Sequence, residues 1–418
     1  MLKLLLLGLL GGCALFIQQI DTPLVSDTKK PKNVQVIPGH CPLDKKTKLQ
    51  LVGTNDNSQQ VYQEMVRALG PKIEDFYDHF ALWNLLQFST RPDQSSPTSR
   101  LQVMLHHKSK SSYYDFFSEE TEDQYPYLYG IEWILKKVGK KRNLEYYAAL
   151  LDQNLGQKLK IGKDFENFLV SNFKDIRDSS EMAPFYQRGT DVLKENETSP
   201  KLDYSRVIAS YRRAQKKQKI IVNTSLTRFV TDKGQTGSCN YDYGLYENSI
   251  FLIDKTIPSS NVFGLALPTA AFMAASAQKL SSITSLEGLP LLKGVSKVRS
   301  SAVCLIETGE DKLWTFSNQS RDPGQHLFHL IRYGLTASKS TAEVDKLIKH
   351  SRHLFLSDPV RLVIESQKSG KAQIENLLKL NLPIYNAEKL GNVWAYTLFE
   401  KSNRFVIDDR NPGAFKCQ

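Results

Sequence analysis

The hydrophobic periodicity of this 418-residue chain changes character near Lys219, and that change limits the folds open to it. Before it, apolar residues recur at helical spacing. Val61, Met65, Val66 and Leu69 form one stripe and Ile73, Phe76, Phe80 and Trp83 the next, interrupted at Gly70-Pro71 and ended at Arg91-Pro92. Further helices are expected over 125–138, 143–155, 164–173 and 204–217, with no 34-residue phase that would make a repeat array. After Lys219, β-branched and aromatic runs at 220–230, 249–253, 303–306, 313–316 and 360–364 read as strands. A strand at 382–385 and a hairpin of 393–399 with 404–407 follow. Helices opening at Asp322-Pro323-Gly324, and over 341–355 and 372–380, alternate with them, which implies crossover connections. The expected fold class is α+β overall: a helical N-terminal domain (59–219) followed by an α/β domain (220–418) with a mixed sheet.

The first twenty residues carry an address. Lys3 gives a positive n-region, and residues 4–10 give a short apolar run, the layout of an export signal. Leu10-Gly11-Gly12-Cys13 follows where a small-x-small cleavage site would stand. This stretch resembles the bacterial lipoprotein class, whose lipobox is a leucine, two small residues and a cysteine. The resemblance implies that residues 1–12 are a signal peptide and that Cys13 carries the lipid. Two or three acyl chains, at about 0.8 kcal/mol per buried methylene, hold a protein to a bilayer where one would not. From residue 4 to residue 17 the apolar stretch is too short for the ~20 residues a membrane span needs. Ala14 after the cysteine resembles outer-membrane sorting, so the expected location is the periplasmic side of the outer membrane. Residues 13–58, with scattered prolines and lysines, read as a lipid-anchored tether.

The formal net charge of +11 suits attraction to anionic envelope polymers, to lipid headgroups or to an envelope protein assembly. Nucleic acid is not an expected partner of an exported chain. Apart from Cys13, four cysteines remain, Cys41, Cys239, Cys304 and Cys417, which allow two disulfides in three connectivities. Cys41 and Cys239 lie in turn-rich contexts and are the better candidates, whereas the apolar run around Cys304 also fits a buried thiol. No spacing among them suits zinc.

Four of the eight histidines fall in two i,i+3 pairs, His326 with His329 and His350 with His353. That spacing can present two ring nitrogens to a metal, but the apolar residues of each helix leave the rings on the polar side, so they are weak metal candidates. Ser276-Ala277-Gln278-Lys279 and Lys368-Ser369-Gly370 are similar to two of the three motifs of penicillin-recognising serine enzymes. The third motif is absent, and 269–280 reads as an alanine-rich packing helix. The last sixty residues resemble the α/β unit of phospholipase-D-like proteins without a His-x-Lys ahead of Asp408. The glycine-rich stretch 234–244 lacks the Lys-Ser/Thr of a phosphate loop, and no cofactor is expected. No catalytic constellation is complete. The leading expectation is therefore an envelope lipoprotein that binds or scaffolds. The alternative is an envelope hydrolase acting on peptidoglycan or lipid, with its site in the C-terminal half.

Overall fold

The computed structural model describes residues 49–53, 56–120, 123–155, 158–244, 260–280, 282–297, 301–320, 322–357, 360–399, 402–410 and 414–417. The expected signal peptide, most of the tether, Cys13, Cys41 and the strand expected at 249–253 lie outside these residues.

Two antiparallel sheets form the centre. The first contains β1 (Gln50–Gly53), β2 (Arg100–His107), β3 (Lys110–Phe117), β4 (Ile221–Asn223), β7 (Asn261–Leu267), β8 (Ala270–Ala277) and β16 (Ala414–Cys417), in the order β16-β1-β7-β8-β2-β3-β4. The second contains β5 (Thr227–Val230), β6 (Thr236–Cys239), β9 (Ala302–Thr308), β10 (Asp311–Asn318), β14 (Asn392–Phe399) and β15 (Ser402–Ile407), in the order β15-β14-β10-β9-β6-β5. Trp314, Phe316, Trp394, Tyr396 and Phe405 of the second sheet pack against Met104, Val262, Ala271 and Met273 of the first.

Helices cover both outer faces. On the first sheet lie α1 (Asp56–Leu69), α2 (Phe76–Thr90), α3 (Pro126–Lys137), α4 (Leu144–Asn154) and α7 (Tyr204–Ala214), packed on Phe263, Leu265, Phe272 and Phe116. Gly130 lets α3 lie flat there, since a Cβ at that position would stand 2.6 Å from the Phe116 ring. On the second sheet, Leu327 and Ile331 of α8 (Pro323–Arg332) and Val344 and Ile348 of α9 (Thr341–Ile348) pack on Cys304, Ile306 and Val393. Two further helices, α5 (Lys163–Ser171) and α6 (Phe173–Asp178), build a separate small core with Met182 and Tyr186. The molecule is α+β, four layers deep: helices, sheet, sheet, helices. Among the described residues, no helix is long and apolar enough to cross a membrane.

Sequence periodicity located most helices to within a few residues, but three readings need correction. Residues 269–280 are not a helix: Pro268-Thr269 is a two-residue turn, and β8 pairs with β7 from Ala270↔Leu267 to Ser276↔Asn261. A strand covered on both faces shows no alternation of apolar and polar residues, so its alanines read equally well as helix. The expected boundary at 219/220 does not separate two sheets, because β7 and β8 insert between β1 and β2. The hairpin β2–β3 also makes the N-terminal part more than helical. Finally, the helix expected over 341–355 stops at Ile348, and β11 (His353–Ser357) pairs with β12 (Val360–Ile364) instead. The α/β expectation holds locally: β12, α10 (Lys371–Leu378) and the parallel strand β13 (Ile384–Asn386) form one crossover unit.

Cys239 and Cys304 form a disulfide across registered neighbours in β6 and β9, with Cα atoms 4.1 Å apart. Cys304 is thus not a free buried thiol. Strand pairing, not local context, chose its partner. Cys417 sits in the edge strand β16, opposite Gln50.

A crosslink separated by 65 residues in sequence restricts the unfolded chain by about 4 kcal/mol on chain-entropy grounds. Replacing Cys239 and Cys304 together by Ala should lower the unfolding free energy by roughly that amount, read from urea denaturation. An unchanged midpoint would contradict the crosslink.

Candidate functional site

The apolar slab between the sheets ends on one side in a layer of hydroxyls and amides. Ser260 and Asn261 open β7, and Ser276 and Gln278 close β8. Ser301 precedes β9, and Asn318 closes β10; all six are buried. Antiparallel pairing brings these ends together, because the start of one strand lies beside the end of its partner. The loop after α2 supplies the rest: Pro92 stops that helix, and Ser95, Ser96, Thr98 and Ser99 follow, all buried.

Nearly every polar group in this layer has a partner. Ser95 Oγ bonds Ser276 Oγ and accepts from Asn261 Nδ2 at 3.0 Å. Gln278 Oε1 accepts from Ser96 Oγ at 2.6 Å and Thr98 Oγ1 at 3.3 Å, while its amide donates to the Pro92 carbonyl at 3.1 Å. Ser260 Oγ lies 3.2 Å from Ser301 Oγ, and Asn318 Nδ2 donates to the Ser260 carbonyl at 2.7 Å. Such a network is tolerable in a core only when it is satisfied, since each orphaned group costs about 1–3 kcal/mol.

Above this layer opens a cleft of about 1250 Å³. Gln94, Gln278, Gln319 and Ser320 line it beside Phe168 and Asp175 of the α5–α6 pair. Arg91 braces one side: its guanidinium holds Asp93 at 2.9 and 2.8 Å and reaches Asp164 at 3.4 Å. The cleft is therefore shared between the two halves of the chain rather than confined to the C-terminal half.

Ser276 and Lys279 do not form a nucleophile–base pair. Ser276 is sealed against Ser95, whereas the exposed Lys279 pairs its backbone with Val295. Three residues apart on a strand place side chains on opposite faces. Lys368 is taken by Asp409 at 2.7 Å.

The four histidines part company. His326 Nε2 sits 2.7 Å from Ser320 Oγ. His329 stacks on His353, with ring centroids 4.0 Å apart. His350 tilts against Tyr333 with centroids 5.2 Å apart. Neither i,i+3 pair points both rings at one centre, and among the described residues no group of three or more ligand-type side chains gathers. What the sequence reading passed over was the serine content of the strand boundaries: Ser95-Ser96, Ser259-Ser260, Ser300-Ser301 and Ser317 to Ser320. These clusters were legible as punctuation but not as one place.

The stacked imidazoles make stability sensitive to acid. Burial, and then the charge of His350, lowers the His353 pKa to about 4, and burial with the neighbouring His353 holds His329 well below the usual value. The unfolded chain therefore binds protons that the folded one refuses. Stability falls as pH drops below about 6.5, by up to about 1.4 kcal/mol per pH unit for each ring, and for His353 the loss is complete near pH 4. Melting temperatures at pH 7 and pH 5 should differ accordingly, and His353→Gln should flatten the difference.

No protein-family model and no curated protein sequence matches the chain. Solved structures do. The chain is similar to LmbA2991HD, with a TM-score of 0.57 and 7% identity over 88% of this chain and 97% of that one. It is similar to the same degree to a cephalosporin acylase from Bacillus halodurans, with a TM-score of 0.57 and 6% identity over 88% and 96% of the two chains. At such identities the likeness is one of fold.

Proposed function

We propose that this protein is an acyl hydrolase built on the scaffold of N-terminal-nucleophile enzymes, held at the bacterial envelope by its lipid and acting on an amide of an envelope polymer or lipid. One observation carries the reading: the ends of both antiparallel sheets gather buried serines and amides in one layer, and Gln278 of that layer lines a large cleft. The shared fold supports it, since the similar structures include an acylase of that enzyme type.

Ser260 is the nucleophile in this reading. It heads β7, its hydroxyl faces Ser301, and among the described residues no imidazole, amine or carboxylate is bonded to it. A base for such a serine is its own α-amino group, which exists only once the 259–260 peptide bond is cut. Ser260 is fully buried in the intact chain. The same cut would open access to it.

The binding or scaffold reading has one observation in its favour. Of the other polar residues of this hairpin end, Asn261 is committed to Gln87 and Ser95, and Ser276 to Ser95. A protein that stays in one piece and releases no amine would fit that reading.

After reduction of the Cys239–Cys304 bridge, which spans the cut, intact mass measured on protein recovered from native envelopes should show two fragments meeting between residues 259 and 260, and Ser260→Ala should remain a single chain without amidase activity. A single uncut wild-type chain rejects the enzyme proposal. For the anchor, Cys13→Ala should abolish fatty-acid labelling and shift the protein to the soluble fraction. Equal labelling of variant and wild type would remove the lipid from the account.

A further inference from the structure

Ser320 stands where β10 turns into α8, and three features prepare it. Gln319 just before it is held at φ 55°, a left-handed conformation that a non-glycine residue adopts only under constraint, and its side-chain oxygen Oε1 accepts from Asn392 Nδ2. Gly391, itself at φ 59°, makes the room: a Cβ there would lie 2.9 Å from Ser320 Cβ and 3.1 Å from His326 Cδ2. Ser320 Oγ accepts from the Asp322 N–H at 3.3 Å and lies 2.7 Å from His326 Nε2. A sharp strand-to-helix turn is the arrangement by which a fold presents a serine at a cleft, and Ser320 lines the cleft.

We propose that Ser320 and His326 are a nucleophile and its general base, and that together they hydrolyse carboxylic esters in the cleft. This activity does not depend on Ser260 or on any cut in the chain. In the tautomer that carries its proton on Nδ1, His326 receives the Ser320 hydroxyl proton at Nε2 as Oγ bonds to the ester carbonyl carbon. Collapse breaks the ester C–O bond, and Nε2 returns the proton to the departing alcohol. Water then attacks the acyl group while giving a proton to Nε2. The C–Oγ bond breaks, and the proton goes back to Ser320. Ester and water become acid and alcohol, with nothing left over.

The surroundings of His326 set the substrate class. The ring is buried, its Nδ1 has no hydrogen-bond partner among the described residues, and burial and the Arg352 guanidinium keep it neutral. An imidazole so placed is a weak base whose imidazolium is a strong acid. It can assist attack on an ester carbonyl and protonate the departing alkoxide. With no acceptor on Nδ1 among the described residues to orient the ring or steady its imidazolium, the pair is matched to the more reactive ester carbonyl and not to an amide.

The test uses a fluorophosphonate probe and p-nitrophenyl acetate on the full chain, with the labelled residue located by peptide mass. One equivalent of probe should attach to Ser320 in the wild type and equally in Ser260→Ala, which stays a single chain, so the result is independent of cleavage before Ser260. Ser320→Ala should lose both labelling and esterase turnover while keeping the wild-type melting temperature. His326→Gln should slow labelling by at least about a hundredfold. Ser320→Cys should lose the probe reaction and gain iodoacetamide labelling at that position. Labelling that persists in Ser320→Ala, maps to another serine, or is absent from folded wild type overturns the proposal.

Discussion

Each central strand of this protein is covered on both faces, and the other layers follow from that constraint. Along β8, Ala270, Phe272 and Ala274 face the helices while Ala271, Met273 and Ala275 face the second sheet. A fully buried large side chain contributes about 1.5–3 kcal/mol by leaving water, so a strand that buries both faces must have a layer on either side. Small residues keep those layers close. Gly264 is the clearest case, since a Cβ there would meet the Phe272 carbonyl at 2.9 Å and the Phe405 ring at 3.0 Å.

Where the apolar slab stops, polar chemistry begins. Backbone pairing ends at the strand termini, so side chains there bond one another, and Ser, Asn and Gln serve because they both donate and accept. The same edge continues into a charged layer behind α8. Arg352 holds Asp408 at 2.6 Å, and Arg410 bridges Asp408 and Glu365, all of them buried. These ions tie the small crossover unit to the end of the β14–β15 hairpin. Removing one partner would strand a buried charge, which costs far more than the intact pair contributes.

The parts of the fold legible in the sequence were those with a one-sided environment. Residues 126–137, 144–154 and 323–332 are helices whose apolar stripes agreed, the first and third with basic residues in the last turn and the second and third with side-chain N-caps, Asn143 and Asp322. The β14–β15 hairpin announced itself through aromatic and β-branched residues on either side of a short polar break. The α+β class followed from these. The candidate site was much less legible, because its members come from five separate stretches between Gln87 and Ser320 and no spacing relates them.

What the sequence determined by itself was local: where most helices begin and end, that a basic chain opens with a lipobox-like run, and which cysteines were available to pair. Only the tertiary structure decided that an alanine-rich segment is a strand, that Cys304 pairs with Cys239, and that His326 meets Ser320 instead of His329. Local choices depend on residues three or four positions apart, which periodicity records. Pairing between strands depends on register and on which faces a neighbouring layer covers, and a one-residue change in register would turn every side chain to the other face.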